Sequence, residues 1–233
     1  MILPIIFGFL SVLGMEALAI RPLWYLYGAL FFLGLSVISA FAGQKSFIFK
    51  NFFREIAVFC LFFSGAAAML FYLENAITRQ ILIVVSSIVY ATRVSRLSVG
   101  EKKTTINFLF CIFLSFVSSA AIFGLDLFFS VPAVYLTGIA FFTGYLIFLE
   151  IAAATGDGEA ALPVFGAVFW GEIFFVMLML PNAVYLGSAV LALFTFVFGE
   201  IFYIKRAEPR YGIRLAVFSI ILLLLLFLTA KWI

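Results

Sequence analysis

Apolar residues fill this chain in runs of about 20 residues, and short polar connections separate the runs. An α-helix that rises about 1.5 Å per residue needs this length to cross a bilayer. Nine segments qualify: 2–20, 23–42, 53–73, 77–97, 105–125, 132–154, 160–180, 183–204 and 212–232. The pattern therefore predicts an all-α membrane bundle of about nine helices, with short loops, in a single transmembrane domain over residues 1–233 and with no soluble domain.

Proline positions support these boundaries, because proline is tolerated at a helix start and disrupts a helix interior. Four prolines lie at or near predicted helix starts, and two lie in connections: Pro4, Pro22, Pro132 and Pro163, then Pro181 and Pro209. The fourth segment is the weakest of the nine, since its uninterrupted apolar core covers residues 81–91. To span the bilayer it must include Arg93, whose long side chain can reach back to the interface.

Composition agrees with a membrane protein and excludes several kinds of site. Hydrophobic residues make up 67% of the chain and charged residues 11%, against roughly 45–50% and 25% in soluble domains. The chain has no histidine, which removes the commonest general base and ligand, and its two cysteines are too few for an iron–sulfur cluster. We therefore expect no catalytic residue of these types, no cofactor and, with a net charge of +3, no nucleic-acid partner. An enzymatic activity is disfavoured, although it stays open.

Basic residues are distributed unequally between the two sides of the predicted bundle. Eleven would lie on one side, and three, Arg21, Arg79 and Lys231, on the other. Because cytoplasmic loops carry the excess of Lys and Arg, this asymmetry predicts a cytoplasmic amino terminus and an outer carboxyl terminus. We expect a multi-pass protein of a prokaryotic plasma membrane.

Charged residues inside predicted membrane helices are the candidates for function, since such charges are costly there. Four stand out: Glu150, Glu172, Glu200 and Arg93. Glu172 is the strongest candidate for a substrate or ion site, because it lies about twelve residues into its helix, beside Trp170. The other three lie nearer the cytoplasmic ends of their helices.

An acidic connection with Asp157 and Glu159 follows the sixth helix, on the predicted cytoplasmic side. Together with Glu150, Glu172 and Glu200 it would place five carboxylates in the cytoplasmic half of helices six to eight. In one interpretation these acids form a cation site or a proton relay, because hard cations favour clustered oxygen ligands. In the other they pair with nearby Lys and Arg side chains and hold the bundle together. The sequence does not identify a metal.

Three functional hypotheses follow. A transporter of a small solute or ion, or the membrane subunit of one, requires Glu172 to face an interior pocket near helices 4 and 6–8. A non-catalytic scaffold subunit requires a lipid-facing stripe of small or polar residues that other membrane subunits cover. A lipid-binding or lipid-modifying protein requires a groove that opens sideways near Arg93 and Arg96. We rank transport first, with the bilayer, other subunits and a small-molecule, ion or lipid ligand as possible partners.

Overall fold

The computed structural model describes residues 2–21, 25–42, 49–99, 104–155, 161–180 and 183–204. Every regular element in these ranges is an α-helix. The helices are α1 (Ile2–Ile20), α2 (Tyr25–Ala42), α3 (Phe49–Tyr72), α4 (Ala76–Val99), α5 (Thr104–Phe129), α6 (Ala133–Thr155), α7 (Ala161–Leu178) and α8 (Ala183–Ile204). The all-α prediction is confirmed, and α1 and α8 have the predicted bounds.

Five of these helices are long and apolar enough to cross a membrane: α1, α3, α4, α5 and α6. The chain is therefore a multi-pass membrane protein. The apolar stretches of α2, α7 and α8 are shorter, at 10–17 residues. The weak fourth segment meets the requirement over Ala76–Leu97. The count of about nine is not confirmed, since the predicted helix 212–232 lies outside the described residues.

The chain divides into two compact units between Phe110 and Cys111, within α5. The helix α5 belongs to both units. A single transmembrane domain over residues 1–233 stays a prediction, and so does the side of the membrane that each terminus faces. Unit 1 contains α1 to α4 and the first part of α5, and unit 2 contains the rest of α5 with α6 to α8.

In unit 1, small side chains bring α1 and α4 together in antiparallel orientation. The Ser87 hydroxyl donates to Ser11 Oγ at 3.3 Å, and a Cβ atom on Gly8 would lie 3.0 Å from the Cβ of Ala91. Behind this contact, α2 and α3 meet α4 through buried aromatic rings, which pack edge to face or stacked. These rings are Phe32, Phe59, Phe62, Phe63 and Tyr90.

Unit 2 is organised by the antiparallel pair α6 and α7. A Cβ atom on Gly144 would lie 3.3 Å from the Cα of Ala167, so the two backbones approach closely. A side chain on Gly166 would overlap the ring of Phe148. The helix α5 ends at Phe129. The next residue, Ser130, has a left-handed φ of 51°, and its N–H donates to the Asp126 carbonyl at 2.9 Å. This turn leads directly into the α6–α7 pair, on which the candidate site is built.

Candidate functional site

The α6–α7 pair carries an open groove of about 540 Å³ on its exposed side. Its lining combines small, apolar and aromatic side chains with one carboxylate: Thr137, Phe141, Val168, Gly171, Glu172, Phe175 and Val176. A Cβ atom on Gly171 would lie 3.7 Å from the Cβ of Phe141, so the groove is shallow where the two helices meet. The Glu172 side chain is exposed in this groove.

The direction of the Glu172 side chain follows from the periodicity of α7. Ala167, Trp170 and Phe174 are buried in unit 2, at spacings of three and four residues. Successive residues of an α-helix are rotated by about 100°, so Glu172 points roughly 200° away from Trp170. The burial of Trp170 therefore turns Glu172 outward.

Trp170 itself belongs to a buried hydroxyl network inside unit 2. Its Nε1–H donates to Ser115 Oγ at 3.1 Å, and the Thr195 hydroxyl donates to the same oxygen at 2.9 Å. The network joins α5, α7 and α8 by neutral groups. Trp170 was a candidate for ligand binding, and the structure places it in the packed interior, where it is fully buried.

No side chain of this chain's described part neutralises Glu172. Within those residues its carboxylate accepts no hydrogen bond and forms no ion pair, and the other residues that line the groove are uncharged. An acceptor with two oxygens in such a position can bind a cation, a guanidinium or ammonium group, or a neutral hydrogen-bond donor. The groove thus presents a hydrogen-bond acceptor that no described side chain of this protein satisfies.

The other predicted acids do not join Glu172. Glu150 is buried at 3% exposure, and Glu200 is half-buried in α8. Because Gly166 faces Phe148 and Gly171 faces Phe141, Glu150 and Glu172 lie about 14 Å apart along the helix axes. Among the described residues, no three of Cys, Asp and Glu form a group that could hold a metal. Asp157 and Glu159 lie outside the described residues.

Arg93 has its own partner in unit 1. Its Nη2 lies 2.9 Å from both carboxylate oxygens of Glu55, and both side chains are 4% exposed. The guanidinium also lies over the ring of Phe110, with 5.3 Å to the ring centroid. A second arginine, Arg54, places Nη2 at 3.4 Å from Glu55 Oε1. This arrangement is an ion pair within the packed interior of unit 1.

Glu55 was absent from the residues that the sequence singled out. The predicted third helix began at residue 53, which placed Glu55 at the membrane surface. The helix begins at Phe49 instead, so Glu55 lies nearly two turns inside it. Opposite charges near facing ends of neighbouring helices were the signal that could have identified the pair with Arg93.

Comparisons with known proteins do not extend this description: no protein-family model, no curated protein and no solved structure matches the chain. The functional conclusion therefore depends on the geometry of the two units. Of the charged groups considered, Glu172 combines exposure, apolar surroundings and the lack of a counter-charge within the described chain.

Proposed function

We propose that this multi-pass protein is a subunit of a larger membrane assembly, and that the groove around Glu172 receives a transmembrane helix of another subunit. The observation that carries the proposal is the exposed carboxylate in an apolar groove, without a counter-charge in the described chain. This is the scaffold hypothesis, which requires small or polar residues on an outward face. Thr137, Gly171 and Glu172 supply them.

The cost of an isolated charge supports a protein partner. Glu172 lies six residues before the end of α7, which is about 9 Å along the helix. In our proposal α7 crosses the membrane, and the side chain of glutamate is too short to reach water from that position by extension alone. A charged side chain at the centre of a membrane helix costs on the order of 2.5–3.5 kcal/mol and is normally paired or turned inward. A donor on a docked helix would remove most of that penalty.

The chemistry of the groove supports an occupant that donates a hydrogen bond. We propose a helix that carries a Lys, an Arg or a neutral hydrogen-bond donor at the level of Glu172. Gly171 adds no side chain to the groove floor, so the backbone of a docked helix could approach closely. A second copy of this chain fits less well, because a two-fold symmetric interface places the same patch on both sides and brings two carboxylates together.

Transport, which the sequence ranks first, is the second proposal. It requires Glu172 to face an interior pocket, whereas the described structure has this side chain exposed. A carboxylate without a basic neighbour in its groove also suits a proton or a small cation. In that case a neighbouring subunit would close the site, and transport would belong to the assembly.

Site-specific photo-crosslinking in native membranes tests the proposal. A photoreactive phenylalanine analogue replaces Phe175, which lines the groove. The matched control replaces Phe9 of α1, which is 62% exposed. We expect position 175 to cross-link to one transmembrane segment of a different protein, with a basic or amide side chain level with Glu172. Position 9 should not cross-link to that segment.

Two variants of Glu172 identify which kind of group on the partner helix binds its carboxylate. Glu172→Leu should reduce the cross-link about tenfold or more, because the donor on the partner is left unpaired. Glu172→Gln should retain it if the partner donates from a neutral group and lose it if the partner is a cation. Cross-links to lipid alone, to a second copy of this chain, or at equal yield in Glu172→Leu would overturn the proposal. A cation-dependent change in yield that Glu172→Gln abolishes would favour transport over the scaffold role.

A further inference from the structure

Helix directions in unit 1 bring several basic residues to one end. The contacts of Ser11 with Ser87 and of Gly8 with Ala91 make α1 and α4 antiparallel. The pair of Glu55 with Arg93 joins the beginning of α3 to the last turns of α4. We call the end where α1 and α3 begin and α4 ends the basic end of unit 1.

This end carries more positive than negative charge. Its described side chains include one acid, Glu55, and three bases, Arg54, Arg93 and Arg96. The other described acids of unit 1, Glu16 and Glu74, lie near the end of α1 and just before α4, at the opposite end.

Side-chain exposure decides which arginines can meet a ligand. Arg93 binds both oxygens of Glu55 and is 4% exposed, so it serves the interior. Arg54 contacts the same carboxylate at 3.4 Å, but its side chain is 22% exposed. Arg96 lies one turn beyond Arg93 toward the basic end and is half-buried. The sequence pointed to Arg93 and Arg96 for an anionic head group, and the structure favours Arg54 and Arg96.

We infer that the basic end of unit 1 binds the phosphate group of an anionic lipid through Arg54 and Arg96. Planar guanidinium groups match the oxygens of a phosphate and are more weakly hydrated than ammonium groups. Basic side chains at a membrane surface also attract anionic lipids. Glu55 acts as a positioning residue, because it holds Arg93 in the interior and contacts Arg54 from the buried side. This site is separate from the groove of unit 2 and does not depend on the proposed function.

Native mass spectrometry of the purified full chain, titrated with phosphatidylglycerol or phosphatidylcholine in detergent, tests the inference. We expect phosphatidylglycerol to bind stoichiometrically and more tightly than phosphatidylcholine. Arg54→Gln and Arg96→Gln should each weaken that binding about fivefold, and the double variant about twenty-five-fold. Arg21→Gln is the matched control, because Arg21 is an exposed basic residue directly after α1, at the opposite end.

Resistance to unfolding by sodium dodecyl sulfate is measured on the same variants. It should change little, because the 2.9 Å Glu55–Arg93 pair stays intact and Arg54→Gln removes only the longer contact at 3.4 Å. This measurement separates lost binding from lost folding. Equal retention of the two lipids, or equal weakening by Arg21→Gln, would overturn the inference. Added inorganic phosphate distinguishes between two sources of the bound phosphate group. Displacement of the lipid by phosphate would identify a site for the phosphate group itself. Persistence of the lipid would identify a head-group site that also binds the acyl chains.

Discussion

Each unit of this protein contains an acidic side chain, and the two side chains lie in opposite environments. In unit 1, Glu55 is buried and binds Arg93 at 2.9 Å, with the ring of Phe110 below the guanidinium. In unit 2, Glu172 is exposed in an apolar groove, without a counter-charge in the part of the chain that the structure describes. The first acid has its partner within the fold, and the second presents an unused acceptor at the surface.

The difference separates a structural charge from a candidate functional one. A buried ion pair is stable only when its geometry is good enough to repay the loss of hydration. In unit 1, Nη2 of Arg93 lies 2.9 Å from both oxygens of Glu55. The interior hydroxyl network of unit 2 uses neutral groups instead, joining Ser115, Trp170 and Thr195. Glu172 takes no part in that network, so the stability of unit 2 does not explain why an acid occupies this position.

The largest effect should follow from breaking the ion pair of unit 1. We expect Arg93→Leu to lower the free energy of unfolding by about 3–5 kcal/mol, because it removes the 2.9 Å partner of the buried Glu55 charge and leaves only Arg54, at 3.4 Å. Unfolding of the purified protein by sodium dodecyl sulfate, followed by circular dichroism, measures the loss.

The double variant Glu55→Leu/Arg93→Leu is the control for that experiment. It should recover most of the stability, because two packed apolar side chains avoid the desolvation of both charges. The single variant Glu55→Leu completes the set. If the losses of unfolding free energy in Arg93→Leu and Glu55→Leu add up to the loss in the double variant, the two side chains are not coupled and the comparison between the units fails.

A smaller effect should follow from breaking the neutral network of unit 2. Ser115→Ala removes the acceptor of the Trp170 Nε1–H and should cost about 1–3 kcal/mol, the cost of an unsatisfied buried donor. The same unfolding assay measures it.

Ser118→Ala is the matched control for Ser115→Ala, since the Ser118 hydroxyl bonds within its own helix, to the Leu114 carbonyl at 2.6 Å. It should cost less than Ser115→Ala. Equal losses in the two variants would mean that the network between helices contributes no stability of its own.

The smallest effect on stability should follow from Glu172→Gln. Because the Glu172 carboxylate is exposed and makes no hydrogen bond among the described residues, the purified chain should change by no more than about 0.5 kcal/mol. The measurement is again detergent unfolding. A loss above about 2 kcal/mol would show that Glu172 serves the fold of its own chain, and it would remove the contrast with Glu55.

Helix positions were largely predictable, because a long apolar run in a membrane protein has few alternatives to an α-helix. The predicted and observed bounds differ most where polar residues belong to a helix end. The helix α3 begins at Phe49 instead of residue 53, and α5 continues through Asp126 to Phe129. Hydropathy reports where the hydrocarbon layer begins, whereas a helix ends where its hydrogen bonds end, as at Ser130.

The face that each helix turns inward was not predictable in the same way. In a soluble helix, the polar face marks the surface, but lipid and protein interior are both apolar. The exposed Val168, Phe175 and Val176 of α7 resemble its buried Ala167 and Phe174 in polarity. The sequence therefore identified Glu172 as a candidate and could not indicate whether it faces the bundle or the surface.

The sequence alone determined that this chain is an all-α multi-pass membrane protein, because composition and run length leave no other way to satisfy backbone hydrogen bonds in lipid. It also limited the chemistry to carboxylates, arginines and hydroxyl groups, since the chain has no histidine. The tertiary structure decided which of these groups meet. Pairing of Arg93 with Glu55 depends on contacts between α3 and α4, and the exposure of Glu172 depends on the burial of Trp170. Both are properties of helix rotation, which an apolar sequence in an apolar solvent does not encode by hydropathy.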